Sequence, residues 1–401
     1  MNLLFLTLLD FKSYSERNIY CNLLREFAKK DHNVYCISPT ERRNKVQTHF
    51  EEDGHILKLK IGNIQKTNII EKGISTVLIE PQFIRAIKKY FKDIKFDLII
   101  YSTPPITFVN AVKYVKKRDG AKTYLLLKDI FPQNAVDLGM MKKSGVKGLL
   151  YKYFRNKEKR LYAISDKIGC MSQANADYVL KHNPEISAEK VENCPNSIEV
   201  TNERLSPKQK AEIRQKFNIP TDKTVFIYGG NLGRPQDISF IIECLKANTD
   251  FDDRFFVICG TGTEYSKLKN HIDTEKPANV LLINGLPKNE YESFVGCCDI
   301  GLIFLDYRFT IPNFPSRLLS YMQKGMPVLA CTDPNTDIGK VIIDGNFGWR
   351  CESNLTECFT EAVNTAVKAD IKLLGENAFN YLKENYTAEK GCDIILQFYN
   401  K

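Results

Sequence analysis

The sequence predicts an α/β protein made of two Rossmann-like, doubly wound parallel-sheet lobes with a cleft between them. Three observations carry this prediction. The length of 401 residues exceeds one domain of roughly 100 to 200 residues. Short leucine-rich or β-branched runs alternate with longer helical patterns, as in parallel strands joined by helical crossovers. The alternation starts again after a polar segment at 199–210, which has the composition of a linker.

In the first half, buried strands are predicted from apolar runs bounded by polar residues. Apolar residues with helical spacing between these runs predict helices near 19–30, 77–91, 107–117 and 140–161. The first run is apolar over seven residues and meets Asp10, which favours a strand over a signal peptide. No run reaches the roughly 18 apolar residues of a membrane span. The predicted strands are LLFLTLL, NVYCIS, HILKLKI, DLIIYS, KTYLLL and KIGCMS.

The second half repeats the pattern. Helices are predicted at 238–246, 265–271 and 290–295, and in the middle of IPNFPSRLLSYMQKGMPVLA, while 356–401 is helical by pattern. We therefore expect an N-terminal lobe at 1–200, a C-terminal lobe at 201–380, and a terminal helix at 381–401 that packs back on the first lobe. The predicted strands are TVFIYGG, RFFVICG, NVLLING, DIGLIFL and MPVLAC.

The cysteines and histidines argue against a disulfide scaffold and a zinc site. Twelve cysteines are scattered without a C-x-x-C pair, which favours reduced thiols in a cytoplasmic protein. The five histidines lack metal-ligand spacing. No metal, cofactor or nucleic-acid partner is expected.

A basic amphipathic helix is predicted at 140–161. Its apolar residues form one helical stripe, and a single acidic residue, Glu158, lies among eight cations. Such a helix can bind an anionic membrane surface, because its cations gain from the surface potential while its stripe inserts. The alternative is a solvated helix whose stripe packs on its own domain. The stripe is Val146, Leu149, Leu150, Tyr153, Phe154 and Leu161, and the cations are Lys142, Lys143, Lys147, Lys152, Arg155, Lys157, Lys159 and Arg160.

Glycines fall directly after predicted strands of the second half. A glycine there lets a ligand approach the backbone amides closely. Neither a G-x-G-x-x-G nor a P-loop pattern is present, and each glycine alone could equally mark a turn. Their recurrence at successive strand ends favours a ligand site at one edge of the sheet. The glycines are Gly229, Gly230, Gly233, Gly260, Gly262 and Gly285.

Two arginines, Arg234 and Arg317, follow strands at the same predicted edge. A planar guanidinium matches phosphate oxygens, so the pair could neutralise a diphosphate without a metal. Pro315 presets a helical start, and the hydroxyl of Ser316 with amides up to Leu318 would add the positive end of a helix. For either arginine alone, an ordinary surface residue is the alternative.

These motifs resemble those of bacterial retaining glycosyltransferases of family four with the GT-B fold, in the fucosamine-transferase-like branch of polysaccharide biosynthesis. The resemblance covers nearly the whole chain and is specific for the family, but not for the sugar. It rests on KDIFPQNAVDLGMM, VENCPNS, FIYGGNLGRPQD, FVICGTGTEYSKLK and PNFPSRLLSYMQKGMPVLA.

The resemblance implies transfer from a nucleotide diphosphate sugar, such as a UDP-N-acetylhexosamine, to an undecaprenyl-diphosphate-linked saccharide. The enzyme would be metal-independent and cytoplasmic, peripheral on the inner face of the membrane, in capsule, exopolysaccharide or O-antigen synthesis. The resemblance places the loops near 13–17 and 62–73 towards the acceptor. It assigns Asp129, Arg234 and Arg317 to catalysis, and it assigns to the donor Gly230, Asn231, Gly233, Gly260, Thr261, Gly262, Gly285, Leu286, Pro315, Ser316, Leu318 and Ser320.

One departure concerns the ribose. Many relatives carry two glutamates eight residues apart where this chain has Pro312 and Ser320. The named branch shares that loss. Two alternatives stay open at this point: a nucleotide-sugar 2-epimerase, which needs acid and base groups for deprotonation at carbon, and a non-catalytic subunit that binds a nucleotide sugar.

Overall fold

A computed structural model describes residues 1–65, 67–202 and 204–401, with the backbone alone for residues 53, 69, 70, 146, 147 and 288. The loop predicted at 62–73 and the linker predicted at 199–210 therefore each include a residue that the structure does not describe. The side chains of Val146 and Lys147 in the predicted stripe and cation set also lie outside the described part. The chain forms two compact units. An N-terminal unit contains Met1–Glu199 and Ala388–Lys401, and a C-terminal unit contains Val200–Thr387.

The N-terminal unit is built on an eight-stranded sheet. Its order is β3-β4-β2-β1-β5-β6-β7-β8, and its pairs are parallel except for β3 with β4. The inner strands are mainly apolar and mostly buried, because helices cover both faces of a doubly wound sheet. The strands are β1 (Asn2–Leu6), β2 (Asn33–Glu41), β3 (His49–Glu51), β4 (Ile56–Ile61), β5 (Leu98–Ser102), β6 (Lys122–Leu127), β7 (Lys167–Cys170) and β8 (Val191–Asn193).

The helices of this unit include one that begins earlier than expected. The helix predicted from Val77 starts at Ile69, because the Asn68 side chain accepts a hydrogen bond from the Glu71 amide and caps the helix there. The predicted helix at 140–161 starts only at Gly145, so Met140 precedes it. The helices are α1 (Ile19–Lys29), α2 (Ile69–Tyr90), α3 (Val109–Asp119), α4 (Gln133–Asp137), α5 (Gly145–Ile164) and α6 (Gln173–His182).

The C-terminal unit has a six-stranded, wholly parallel sheet. A helix occupies part of the predicted linker, since Ser206 and Gln209 form a capping box at its start. Its helices are α7 (Pro207–Lys216), α8 (Ile238–Lys246), α9 (Tyr265–Glu275), α10 (Lys288–Gly296), α11 (Arg317–Gln323), α12 (Ile338–Asp344), α13 (Thr356–Ala366) and α14 (Ile371–Asn385). Its strands are β9 (Thr224–Asn231), β10 (Arg254–Thr261), β11 (Val280–Ile283), β12 (Ile300–Phe304), β13 (Val328–Thr332) and β14 (Gly348–Glu352).

The last helix, α15 (Ala388–Asn400), belongs to the N-terminal unit and packs against α1. The prediction of two doubly wound α/β sheets is confirmed. Ten of the twelve cysteines are buried, and all are free thiols. Within the described ranges, no helix combines the length and the apolar character that a bilayer crossing requires.

Candidate functional site

The C-terminal sheet has a topological switch point between β9 and β12. Its strand order, β11-β10-β9-β12-β13-β14, runs outward in both directions from that pair. Doubly wound sheets bind ligands beyond the carboxyl ends of the strands at such a point. The predicted glycines and Arg234 lie at or just after the carboxyl ends of β9, β10 and β11, and Arg317 begins the helix that follows β12. The structure therefore brings the predicted residues of this unit to one edge of the sheet.

Two glycines let the backbones of β9 and β10 approach each other at this edge. Gly230 and Gly260 are partners in the strand register, and Gly230 has a φ of +128°. A Cβ atom on Gly260 would lie 1.9 Å from the Gly230 carbonyl oxygen, so a side chain has no room there. Because these predicted glycines have no side chains, the backbone at this edge of the sheet is left uncovered for a ligand.

Arg317 is held against β9 with unused hydrogen-bonding capacity. Its guanidinium carbon lies 4.2 Å from the centre of the Tyr228 ring, in a cation–π contact. Its Nη2 would lie 3.0 Å from a Cβ on Gly230, so the guanidinium packs on the glycine backbone. Its Nη1 is buried and has no hydrogen-bond partner among the described residues. A buried, unpaired cationic donor is unfavourable unless an anion binds it. Arg317 is therefore prepared for an anionic ligand.

Tyr228 was missed by sequence analysis. Burial raises its pKa, so the ring stays a neutral phenol. Its hydroxyl donates to the Asn231 carbonyl at 2.5 Å, which ties the ring to the end of β9. The ring thus orients Arg317 and shapes the predicted donor-binding turn at the same time.

Arg234 lies in a different environment. It begins a 3₁₀ turn, is half exposed, and its Nε lies 4.0 Å from a Glu264 carboxylate oxygen. The turn is fixed by Gln236, whose Oε1 accepts from the Asn231 side chain at 2.9 Å and from the Gly233 amide at 3.2 Å. Gln236 is a second positioning residue that the sequence did not reveal. Arg234 can reach an anion only from the solvent side.

The ends of β10 and β11 complete this edge. The Leu232 amide donates to the Thr261 carbonyl at 2.8 Å, which joins the loops after β9 and β10. The Thr261 methyl group would lie 3.1 Å from a Cβ on Gly285, so the loop that contains Gly285 and Leu286 also meets them. Gly262 and Thr261 are exposed. The structure thus gathers the residues predicted to contact ribose and base.

The start of α11 differs in part from expectation. The helix begins at Arg317 and has only seven residues, and the exposed Ser316 makes no side-chain cap. The Leu318 amide donates to the Pro315 carbonyl at 3.2 Å. This amide is therefore already bonded within the turn, and Leu318 itself is buried, so its role towards the donor stays a prediction. Ser320 is exposed one turn after Ser316.

Asp129 lies in the N-terminal unit, two residues after β6. The Asn134 side chain donates to both of its carboxylate oxygens, at 2.8 and 2.9 Å. Its backbone amide donates to the Thr103 hydroxyl at 3.1 Å, which fixes the turn. Burial raises the pKa of Asp129 to about 6. The group can therefore change protonation near neutral pH, and Asn134 is a positioning residue that sequence analysis missed.

The apolar stripe of α5 divides into two parts. Leu161 is fully buried, and Phe154 packs on Phe131 with ring centres 5.0 Å apart. Nearer the start of the helix, Leu149, Leu150 and Tyr153 are exposed. We call the exposed side chains Met140, Leu149, Leu150 and Tyr153 the α5 surface; Leu149 is 67% exposed.

The cations of α5 also divide. Among the seven cations whose side chains are described, three form ion pairs within the unit: Arg155 with Glu158, Lys157 with Glu80, and Lys159 with Glu185. These three cations are therefore engaged by carboxylates of the unit. Exposed cations beside the α5 surface are Lys142, Lys143, Lys152 and Arg160.

Comparison with known proteins gives matches for both halves. Residues 18–202 match the family model Glycosyltransferase Family 4, and residues 209–381 match Glycosyl transferases group 1. WbjE of Pseudomonas aeruginosa, named as a probable glycosyltransferase, is 23% identical over 82% of this chain and 80% of its own length. WcaI of Escherichia coli K12, named for colanic acid biosynthesis as a glycosyl transferase, is 21% identical over 62% of this chain and 60% of its own.

A solved structure supports the fold. The Anabaena protein Alr3699/HepE in complex with UDP superposes with a TM-score of 0.69 at 13% identity, over 100% of both chains. At this identity the likeness shows a shared fold, and the UDP belongs to that protein.

Proposed function

We propose that this chain transfers a sugar with retention from a UDP-linked donor to a lipid-linked saccharide, because residues 18–202 match Glycosyltransferase Family 4 and residues 209–381 match the glycosyl transferases group 1. The chain is a glycosyltransferase, as the sequence predicted. The donor, the acceptor, retention and metal independence are the proposed parts.

One observation carries the proposal: the buried, unpaired Nη1 of Arg317 at the switch point of the C-terminal sheet. A diphosphate supplies the anion that this donor lacks. Arg234, on the exposed side of the same edge, would approach the phosphates from the solvent side. The glycines at the ends of β9 and β10 allow the nucleotide to come close to the backbone. The UDP complex of the Anabaena protein with this fold supports a uridine nucleotide.

The proposed reaction is substitution on one face of the sugar. The bond from the anomeric carbon to the diphosphate oxygen breaks, the acceptor hydroxyl oxygen forms the new bond on the same face, and its proton passes to the leaving oxygen. Negative charge grows on the diphosphate, so Arg317 and Arg234 would stabilise the transition state more than the ground state. We assign Asp129 to the donor sugar, where its raised pKa allows it to donate or accept a hydrogen bond.

The proposed setting is polysaccharide synthesis on an undecaprenyl-diphosphate carrier at the cytoplasmic face of the membrane. The name of WcaI, which refers to colanic acid biosynthesis, supports a polysaccharide. Capsule, exopolysaccharide and O-antigen all fit this chemistry, and the fucosamine-transferase-like branch is part of the proposal.

A ligand screen followed by an assay tests the proposal. UDP should raise the melting temperature by several degrees, because a ligand at 100 times its Kd stabilises the folded state by about 2.7 kcal/mol. GDP should have less effect. An isomer formed from UDP-GlcNAc without acceptor would indicate the epimerase, and UDP binding without turnover on any acceptor would indicate the binding subunit. Failure of UDP to bind would contradict the proposal itself.

We also propose that the α5 surface binds an anionic bilayer. Its exposed leucines and tyrosine stand among exposed lysines, which is the pairing of apolar insertion and cationic attraction found in interfacial helices. The packed alternative accounts for Phe154 and Leu161, but it does not explain why Leu149, Leu150 and Tyr153 are 67%, 51% and 49% exposed.

Changing Leu149 and Leu150 to aspartate together should reduce binding to phosphatidylglycerol vesicles by about tenfold or more. Each full burial of a leucine stabilises by about 1.5–3 kcal/mol, and aspartate adds repulsion from the lipid headgroups. Co-sedimentation at low and high salt measures the loss. Leu373→Asp, at a leucine 55% exposed in the C-terminal unit, is the matched control and should bind as the unmodified chain does. Equal binding by both variants would contradict the assignment.

A further inference from the structure

The N-terminal unit contains a groove that the proposed nucleotide site does not use. It lies between the end of β4 and α2 as far as Gln82 and has a volume of about 1220 Å³. Ile61, Ile74 and Leu78 line it, and Ile74 is 58% exposed. We call it the α2 groove. Exposed aliphatic side chains on one wall of a large groove favour an apolar occupant.

Cations stand at one end of the α2 groove. Lys60 lies near the carboxyl end of β4, and Arg42 pairs at 2.7 Å with Glu71 in the first turn of α2. The groove then follows α2 to Gln82, a length of about 16 Å at 1.5 Å per residue. Its occupant should therefore be elongated, apolar along its length and anionic at one end.

The acidic residue at this end does not cancel the positive charge. Glu71 accepts hydrogen bonds from Arg42, Asn63 and Thr67, and the bonds from Thr67 and Asn63 lower its pKa. Its carboxylate is therefore ionised and fully engaged. Arg42 is 66% exposed and keeps further donors from its five N–H groups, and Lys60 adds a second positive charge. The end of the groove keeps a net positive charge.

The α2 groove opens on the same face of the sheet as the α5 surface. Helices α2, α3 and α5 follow strands that advance in one direction across the sheet, so right-handed crossovers place all three on one face. Helix α3 packs against both neighbours. Lys157 on α5 lies 3.6 Å from Glu80 on α2, and the exposed apolar residues of each helix precede this pair by no more than eight residues. A lipid chain in the groove would thus lie beside the face proposed to contact the bilayer.

We propose that the α2 groove binds the polyprenyl diphosphate part of the lipid-linked acceptor. The isoprenoid chain lies along Ile74 and Leu78, and the diphosphate meets Arg42 and Lys60. This inference rests on the proposed transferase function and adds to it the location at which the carrier binds.

Calorimetric titration of the full chain with geranylgeranyl diphosphate tests the proposal, with saturating UDP present so that the nucleotide site cannot take the probe. Leu78→Asp should weaken binding by about tenfold or more, since it places a charge in the apolar wall. Val77→Asp is the matched control, because Val77 is 67% exposed on the same helix but does not line the groove. Its affinity should stay within about twofold to threefold.

The headgroup is tested separately. Arg42→Ala should weaken geranylgeranyl diphosphate and leave geranylgeraniol unchanged. Equal affinity for the alcohol and the diphosphate, or equal losses in Leu78→Asp and Val77→Asp, would overturn the proposal and indicate general adsorption to an apolar face. The UDP-induced rise in melting temperature is measured on the same variants. Lost lipid binding in Leu78→Asp or Arg42→Ala with an intact UDP response supports the groove. Lipid binding by the unmodified chain without any UDP response would contradict the proposed function alone.

Discussion

Alanine in place of Arg317 is expected to slow sugar transfer by a hundredfold or more while the chain stays folded. The guanidinium lies over Tyr228 with a buried, unpaired Nη1, so its charge acts on a bound diphosphate with little screening by solvent. Removing one such donor from a preorganised site costs on the order of 3 kcal/mol of transition-state stabilisation. Initial rates at saturating donor measure the loss, and the melting temperature without ligand reports the fold.

The melting temperature of Arg317→Ala should change by no more than a few degrees, because the lost cation–π contact is partly offset by removal of an unpaired buried donor. Arg317→Lys keeps the charge but not the planar fork and should recover only part of the rate. Arg234→Ala should cost less than Arg317→Ala, since the Arg234 side chain is 56% exposed and screened. Turnover unchanged in Arg317→Ala would exclude Arg317 from the reaction.

Long apolar runs made the fold predictable from sequence. The run TVFIYGG becomes β9, whose residues from Val225 to Gly229 are buried, because a central parallel strand is covered on both faces. Short elements were not predicted. Strands β3 and β8 have three residues each, too few for a period to show, and their pairing depends on neighbours distant in sequence.

The start of α2 could have been predicted. Asn68 and Glu71 are spaced as an N-cap residue and the third helical residue, which is a local signal for a helix start. Sequence analysis gave more weight to the apolar periodicity from Val77. Because the helix starts two turns earlier, Ile74 lies on a helical wall, and the α2 groove could not be inferred from the sequence.

The candidate site was predictable in its residue types but not in its contacts. Glycines and arginines after strands indicated Gly230, Gly260 and Arg317, and the shared edge of the sheet follows from the fold. The residues that orient them, such as Tyr228 and Gln236, have no local pattern, since a ring beneath a guanidinium or an amide across a turn depends on three-dimensional packing. The burial that distinguishes Arg317 from Arg234 depends on the same packing.

Gly260→Ala is expected to lower the melting temperature and abolish the UDP-induced rise. An alanine Cβ would lie 1.9 Å from the Gly230 carbonyl oxygen, which is backbone and cannot rotate away. Strands β9 and β10 would have to separate where their register pairs these two residues. Overpacking of a well-packed interior costs about 1–3 kcal/mol and more where backbone must move. Thermal unfolding with and without UDP measures both effects.

Gly73→Ala is the matched control, because a Cβ on Gly73 meets no atom within 4 Å and the residue lies inside α2. That change should leave the UDP response intact and stabilise the helix by about 0.5–1 kcal/mol. If Gly260→Ala has the same melting temperature and the same UDP-induced rise as the unmodified chain, the close approach of β9 and β10 does not shape the nucleotide site. A lowered melting temperature with a full UDP response would limit the role of Gly260 to strand packing. A lowered melting temperature together with a lost UDP response would place the nucleotide site at the paired glycines. The backbone displacement that destabilises the sheet would then also move the amides that are proposed to bind the nucleotide.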